Sequence, residues 1–204
     1  MTGVIHLSPA DILAERPFTH PDFALVELKI LRYMVDRLGL ALESFPPGER
    51  VPYLIKLSEA DGRPHRLAIN QPEKLRQGPH LAVVGFFGQR RNSDLAALID
   101  QLDKILVAEL SQHLGLLSYC TLLLENGDFG NLVLFEDAVA QSHWSAGQTH
   151  ARAVQLSPGY YHSVRIYNGE LPGGFKAGQT LYLTQARYYD YQSDSPWQGV
   201  RGIK

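Results

Sequence analysis

Hydrophobic residues recur along the chain with two periods, and these periods predict its secondary structure. Between residues 22 and 38, apolar side chains three or four positions apart form one helical face: Phe23, Val26, Ile30, Met34 and Leu38. Gly39 is placed to end this helix. Alternation over residues 50–57 and 66–70, on either side of an Asp-Gly turn, predicts a β-hairpin. The first third of the chain is thus expected to form a helix followed by a hairpin.

The pattern after residue 79 has a clearer order. Strands are predicted at 81–87, 118–124, 131–135 and 160–167, helices at 94–114 and 136–154, and one more strand at 180–191. The order β-α-β-β-α-β is that of a split β-α-β sheet, in which four antiparallel strands carry two helices on one face. Turn and polar residues at 70–79 separate an N-terminal helix-plus-hairpin subdomain, 1–78, from this α+β domain, 79–204.

The order and lengths of the elements from Leu81 to Tyr167, extended by the strand that ends at Tyr191, resemble a ferredoxin-like domain. More narrowly, they resemble the dimeric α+β barrel group. That group includes small antibiotic-biosynthesis-type monooxygenases, EthD-like proteins, haem-degrading enzymes and chlorite-dismutase-like haem proteins. The resemblance implies a site between the helices and the inner face of the sheet, and a homodimer formed through the sheet. It rests on topology and carries over no catalytic residue.

Composition limits the partners that we expect. The chain has 19 Lys and Arg against 21 Asp and Glu, well interspersed, which disfavours binding to nucleic acid or to an anionic membrane. Cys120, the single cysteine, lies in an apolar run and is expected to be a buried hydrophobe. No intramolecular disulfide or cysteine-based zinc site is therefore expected. Without a signal-peptide pattern or an apolar run of about 18 residues, we expect a soluble cytoplasmic protein.

The predicted helix at 136–154 holds two candidate catalytic residues, His143 and His150. Both lie just off the edge of a core face made of small residues and Trp144. Their spacing of seven residues corresponds to about 10 Å along a helix axis, which is too far for ordinary ligation of one zinc ion. No metal site is predicted. Each histidine is a candidate base or axial haem ligand, and the alternative is a pair of half-exposed side chains that hydrogen-bond to neighbours.

The two strands that follow this helix carry arginine and tyrosine at alternating positions. The first holds His162, Arg165 and Tyr167, and the second holds Arg187 and Tyr189. One interpretation is a cavity in which the two arginines hold a carboxylate or phosphate and the tyrosines shape the wall. The other is an exposed or dimer-forming sheet face. The glycine-rich segment 168–178 between the strands is either a lid or a hairpin connection.

These observations favour a protein that binds a small organic ligand between the second helix and the sheet, with oxygenase- or haem-type chemistry as an extension. The cofactor stays open, with haem among the candidates. The expected ligand-binding residues are His162, Arg165, Tyr167, Arg187, Tyr189 and Trp144. The alternative is a non-catalytic module that uses the Tyr/Arg face for protein interaction or dimerisation. No catalytic motif in the sequence names a reaction.

Overall fold

The computed structural model describes residues 3–46, 48–91, 94–175, 180–192 and 196–203. The strands in these residues are β1 (Ile5–Leu7), β2 (Tyr53–Ser58), β3 (Pro64–Ile69), β4 (His80–Arg90), β5 (Leu116–Leu123), β6 (Phe129–Phe135), β7 (Tyr161–Pro172), β8 (Tyr182–Asp190) and β9 (Trp197–Gly202). The α-helices are α1 (Asp22–Glu43), α2 (Pro72–Gln77), α3 (Ala96–Ala108), α4 (Ala138–Ser145) and α5 (Gln148–Tyr160).

Four antiparallel strands form the centre of the sheet, in the order β7-β4-β6-β5. The chain passes through them as β4-α3-β5-β6-α4-α5-β7. Helices α3 and α4 pack on the same face of the sheet, because Leu106 of α3 and Trp144 of α4 share a buried cluster with Phe135 of β6. This is the ferredoxin-like arrangement, and it confirms the predicted α+β class and topology.

Further strands extend this centre at both edges. The hairpin β2–β3 joins through β3, which pairs with β5. On the other side β8 pairs with β7, β9 pairs with β8, and β1 adds a parallel strand to β9. Residues 1–78 thus contribute strands to both edges of the sheet carried by residues 79–204. The two parts share one sheet, and their division into a subdomain and a domain stays a prediction.

Helix α1 covers the face of the sheet opposite to α3, α4 and α5. Its buried stripe is Glu27, Leu31, Met34, Leu38 and Leu42. The predicted stripe was therefore rotated, since Val26 is 54% exposed while the charged Glu27 is buried. Gly39 does not end the helix. It lies where α1 passes Phe175, whose ring carbon would be 3.4 Å from a side-chain carbon at that position.

The single helix predicted at 136–154 is wrong, because two helices occupy this region. Gly147 separates them with an extended backbone (φ −64°, ψ 143°) and is the residue just before α5. Helix α5 then runs past residue 154, the predicted end of the helix, and through Pro158 to Tyr160. Pro158 is close enough to the end of the helix that only one backbone hydrogen bond is lost there. His143 and His150 consequently lie on different helices, so a spacing along one axis does not describe them.

Other boundaries differ from the prediction. Strand β7 continues to Pro172, so the first half of the glycine-rich segment is strand rather than loop. Lys176 to Gly178, the end of that segment, lie outside the described residues, as do Asn92 and Ser93, which precede the helix predicted at 94–114. Helix α2 and strand β9 were not predicted. Among the helices of the described residues, none has the length and apolar character needed to cross a membrane.

Candidate functional site

A cavity of about 780 Å³ lies between the sheet and the helices α3, α4 and α5. Much of its wall is aliphatic or aromatic, with contributions from Val84, Phe86, Val133, Ile166, Leu106 and Trp144. A pocket was predicted in this place, between the helix expected at 136–154 and the sheet. Residues of all three helices face the sheet across this space, among them Asp103 of α3, Gln141 of α4 and Ala153 of α5.

The register of the strands arranges the cavity floor in rows that cross the sheet. One row contains six residues on six neighbouring strands: Arg66, Thr121, Asn131, Phe86, Ile166 and Arg187. Strands in a sheet are about 4.8 Å apart, so the row is roughly 24 Å long. It is polar at both ends and apolar in the middle. A ligand lying along this row meets different chemistry at each end.

The end of the row near β3 carries a charged cluster. Arg66 donates two hydrogen bonds to the carboxylate of Asp103, at 2.5 and 2.9 Å, and a third to the hydroxyl of Thr121 at 2.8 Å. Burial disfavours the guanidinium, but the bonds to Asp103 outweigh this and raise the pKa of Arg66. Burial also raises the pKa of Tyr119 beside this pair, so its phenol stays protonated. The charges of Arg66 and Asp103 therefore cancel within the cluster.

Asn131 lies next to this cluster on the cavity floor. Its side-chain oxygen is buried and has no hydrogen-bond partner among the described residues. An unpaired buried acceptor costs about 1–3 kcal/mol, and such a group in a folded protein calls for an explanation. Rotation of the amide about its last bond turns either the oxygen or the NH₂ group toward the cavity. A ligand with a suitable donor or acceptor would therefore satisfy Asn131.

The opposite end of the row is held by a chain of amides. Gln141 of α4 donates to the side-chain oxygen of Asn168 at 2.9 Å, and Asn168 donates to Gln185 at 3.4 Å. Arg187 Nε donates to the same oxygen of Gln185 at 3.0 Å. No carboxylate among the described residues forms an ion pair with Arg187. Its two terminal nitrogens are therefore free to bind a ligand.

Two tyrosines that follow Arg187 in the chain lie on the wall of the same cavity: Tyr189 in β8 and Tyr191 just after its end. The rings of Tyr189 and Tyr191 stack with centroids 6.2 Å apart and an interplanar angle of 20°. Burial, reinforced by Tyr189, raises the pKa of Tyr191 to about 12. The hydroxyl of Tyr191 is consequently protonated at neutral pH and can donate a hydrogen bond.

The roof above the sheet contains Trp144 and His150. Their rings are 5.9 Å apart, and His150 Nδ1 is buried without a hydrogen-bond partner among the described residues. Burial lowers the pKa of His150, and the backbone at Ser145 opposes this to a smaller extent. The imidazole is therefore mainly neutral at pH 7. A neutral ring with a free nitrogen can accept a proton or a hydrogen bond from a ligand.

A smaller cavity of about 250 Å³ adjoins the first at the beginning of α5. Trp144 and His150 border both cavities, and His113 completes the small one with its ring edge-on to Trp144 at 4.7 Å. Trp144 thus forms part of the partition between the two spaces.

The predicted site residues divide into three groups. Trp144, His150, Arg187 and Tyr189 line the large cavity. His143, on the exposed side of α4, and His162 do not line it. Arg165 and Tyr167 lie on the other face of the sheet, against α1. Only the first group is brought together in one place.

Arg165 and Arg187 were predicted to lie on one face of the sheet, and the structure corrects this. Arg187 pairs across the strands with Ile166, whereas Arg165 pairs with Tyr188. Directly opposed residues share a face and adjacent residues alternate, so the two arginines point to opposite sides. Arg165 is engaged there by Glu27, at 2.9 Å and 3.0 Å from its Nε to the two carboxylate oxygens. The alternation along each strand was correct, but it contains no information about register.

Several residues of the cavity were missed from sequence. The polar end comprises Arg66, Asp103, Tyr119, Thr121 and Asn131, contributed by β3, α3, β5 and β6. A weak signal was present, because Asp103 interrupts the apolar stripe of α3 and Asn131 begins an otherwise apolar strand. Neither residue is unusual alone. Their proximity arises from the strand order, which places β6 between β5 and β4.

The side chains near the cavity limit which metal or haem could bind there. Among the side chains that the structure describes, no three His, Cys, Asp or Glu residues form a group suited to a metal ion. Of the histidines proposed as axial haem ligands, His150 borders the cavity and His143 does not. If haem binds here, His150 is therefore the residue that fits as its ligand.

Among known proteins, similarity to this chain was found only with solved structures. No family model and no curated protein matches the chain. A solved antibiotic biosynthesis monooxygenase is similar with a TM-score of 0.38 and 18% identity, over 43% of this chain and 94% of the other. A protein from Shewanella oneidensis gives a TM-score of 0.37 and 19% identity, over 51% and 97% of the two chains. A monooxygenase-like protein from Listeria innocua gives 0.37 and 15%, over 64% and 85%.

Proposed function

We propose that this chain binds a small organic molecule in the large cavity. The observation that carries the proposal is Asn131, a polar side chain with an unpaired buried oxygen on the floor of a largely apolar space. The volume of about 780 Å³ suits a ligand pocket. The apolar body of the ligand would gain free energy by leaving water, while one hydroxyl or N–H group would donate to Asn131.

Oxygenase chemistry on the bound molecule is the finer form of this proposal, and His150 favours it. Its neutral imidazole is suited to accept the hydroxyl proton of an electron-rich phenol. The co-substrate is O₂, and the phenol supplies all four electrons. One oxygen atom replaces a ring hydrogen and becomes a quinone carbonyl. The other leaves as water together with the ring hydrogen and the hydroxyl proton, so no further reductant is needed.

A pair of probes tests the binding step. 2-Naphthol carries an apolar body and one donor, whereas naphthalene has the body alone. We expect wild-type protein to bind 2-naphthol more tightly than naphthalene, measured by calorimetry. Asn131→Leu should weaken 2-naphthol binding by roughly fivefold, the value of one neutral hydrogen bond, and leave naphthalene unchanged or slightly tighter.

Two variants control this experiment. Gln77→Leu makes the same amide-to-leucine change at an exposed position outside the cavity and should leave both affinities unchanged. Val84→Trp fills the centre of the cavity and should abolish binding of both probes. Binding that survives in the filled variant, or no binding to wild type at all, would overturn the proposal. Oxygen consumption with 2-naphthol, compared between wild type and His150→Gln, tests the chemical step.

The same preparations test the alternatives. A haem protein would show a Soret band that is lost in His150→Ala and retained in His143→Ala. A protein-interaction module would bind neither probe and would form a dimer, detected by light scattering, that Arg187→Glu or Tyr189→Ala dissociates. The homodimer implied by the resemblance is a proposal of its own, which the light-scattering measurement decides.

A further inference from the structure

We infer that the ligand is an organic anion and that Arg187 binds its negatively charged group at the open end of the cavity. This inference rests on the proposed ligand-binding function and extends it, since it names the chemical class of the ligand and the orientation in which it binds.

Most charged residues around the cavity wall are paired with an opposite charge. Arg66 is neutralised by Asp103, and Arg90 lies 3.8 Å from Asp128. Asp100 is paired in turn with Lys104 at 2.6 Å. These charges therefore cancel in pairs.

Arg187 differs from the other charged residues of the wall. Its single hydrogen bond is to the neutral oxygen of Gln185, and no acid among the described residues pairs with it. A ligand that enters the cavity therefore meets one positive charge without a counter-charge, that of Arg187. The complementary group is a carboxylate, phosphate or sulfate.

The guanidinium of Arg187 is also held in position before a ligand binds. Gln185 accepts from both Asn168 and Arg187, and Asn168 is itself fixed by Gln141 on α4. The chain of amides uses the Nε–H of Arg187 and leaves the two terminal NH₂ groups, whose parallel N–H bonds match the two oxygens of a carboxylate. An exposed arginine without such support loses more side-chain entropy on binding.

The distance between the two ends of the site limits the length of the ligand. Asn131 and Arg187 lie three strands apart in the same row, which corresponds to roughly 14 Å between their backbones. Both side chains reach into the cavity and shorten the gap that the ligand must span. A planar molecule of two or three fused rings, with a donor at one end and an anionic group at the other, would cover Phe86 and Ile166 between them.

The test compares two probes that differ only in charge. 6-Hydroxy-2-naphthoate has a hydroxyl and a carboxylate at opposite ends, and 6-hydroxy-2-naphthamide replaces the carboxylate with a neutral amide. We expect wild-type protein to bind the carboxylate about tenfold more tightly than the amide, the effect of a charge-assisted hydrogen bond. Arg187→Gln should abolish that preference and change the affinity for the amide less than twofold. Arg187→Lys should retain part of the preference.

The matched control is Arg152→Gln, which removes an exposed arginine of α5 that does not border the cavity. It should leave the tenfold ratio intact. Gln185→Leu tests positioning, because it keeps the charge of Arg187 and removes the support of Nε. It should reduce the carboxylate-to-amide ratio, which a loss of general stability would not change.

The outcomes separate this inference from the proposed function. Equal affinity for the two probes in wild type, or a ratio that Arg187→Gln leaves unchanged, would overturn the anion site. The 2-naphthol experiment with Asn131→Leu would still decide whether the cavity binds ligands at all. 2-Naphthyl phosphate and 2-naphthoate in the same assay distinguish a phosphate ester from a carboxylate as the anion, and preferential binding of either in an Arg187-dependent manner supports the inference.

Discussion

Glu27 lies in the buried stripe of α1, where its carboxylate accepts hydrogen bonds from Arg165 of β7. The guanidinium also lies 4.5 Å from the centre of the Phe23 ring, which covers the pair from solvent. A helical stripe that contains a glutamate is not recognised from hydrophobic periodicity, so the sequence placed Val26 in the core instead. The ion pair compensates the cost of burial for both charges, and each residue depends on the other.

We therefore expect Glu27→Gln to lower the free energy of unfolding by about 3–5 kcal/mol, because Arg165 is left as an unpaired buried charge. Urea denaturation followed by circular dichroism measures this. The double variant Glu27→Met, Arg165→Met should lose less than the single one. Asp100→Asn removes a partner from the exposed pair with Lys104 and should change stability by less than about 0.5 kcal/mol. Equal effects of Glu27→Gln and Asp100→Asn would show that the buried pair has no special weight.

At the scale of elements, the contact between α1 and the sheet depends on two glycines with opposite roles. Gly85 of β4 lies beneath Leu31, and a side-chain carbon there would be 2.6 Å from a methyl group of that leucine. Gly39 lies within α1, where the added carbon would meet Phe175 at an ordinary 3.4 Å. The first glycine permits close packing, whereas the second only weakens the helix.

Gly85→Ala is expected to destabilise the protein by about 1–3 kcal/mol, since Leu31 must leave its position in a closely packed core. Gly39→Ala is expected to stabilise it by about 0.5–1 kcal/mol, since alanine is the better helix former. Thermal unfolding of the two variants beside wild type measures both. A loss of stability in Gly39→Ala would mean that the α1 contact with Phe175 is tighter than its geometry indicates.

The elements themselves were largely predictable, and the exceptions have physical causes. Strands β4 to β7 and helices α1 and α3 follow from apolar periodicity and from the turns between them. The division of 136–160 into α4 and α5 was missed because Gly147 looks like one of several small residues on a helix face. The opposite error occurred before Pro158, where the helix was predicted to end at residue 154 although it continues to Tyr160. A proline near a helix end removes only one backbone hydrogen bond.

At the scale of the whole molecule, the ferredoxin-like order followed from the sequence, while the candidate site followed only in part. The row from Arg66 to Arg187 is assembled by pairing between strands that are distant in sequence. Pattern reasoning gives the alternation within each strand and leaves register and strand order open. For this reason the prediction of cavity residues was right for Arg187 and Tyr189 and wrong for Arg165 and Tyr167. Asn131, which does line the cavity, was not predicted.

His65 links three parts of the molecule and makes its stability depend on pH. Its fully buried ring lies between the hairpin and α1, with Nδ1 2.7 Å from a carboxylate oxygen of Glu59 and the ring of Tyr33 stacked at 6.3 Å. Tyr33 also donates to Glu59, and Arg37 lies nearby with its positive charge. Burial lowers the pKa of His65, and Glu59 opposes this only in part. Burial alone would raise the pKa of Glu59, but the hydrogen bonds from Tyr33 and His65 lower it.

The sign of the pH dependence follows from these directions. The unfolded chain protonates His65 near its usual pKa of about 6.5, whereas the folded protein resists protonation until a lower pH. The contribution of His65 to the free energy of unfolding is therefore fully present above about pH 6.5. It declines as the pH falls toward the folded pKa of His65, by up to about 1.4 kcal/mol per pH unit for one proton. Below about pH 4.5 the lowered pKa of Glu59 adds a second loss in the same direction.

We expect urea denaturation of wild type at pH 7.5, 6.5, 5.5 and 5.0 to give a falling free energy of unfolding, and His65→Gln to be less stable at pH 7.5 but to show a flatter profile. His150, whose pKa is also lowered by burial, contributes to the slope that remains. His80→Gln changes a half-exposed histidine and should reproduce the wild-type profile. A profile for His65→Gln as steep as that of wild type would mean that other groups cause the loss, because a glutamine at this position cannot take up the proton.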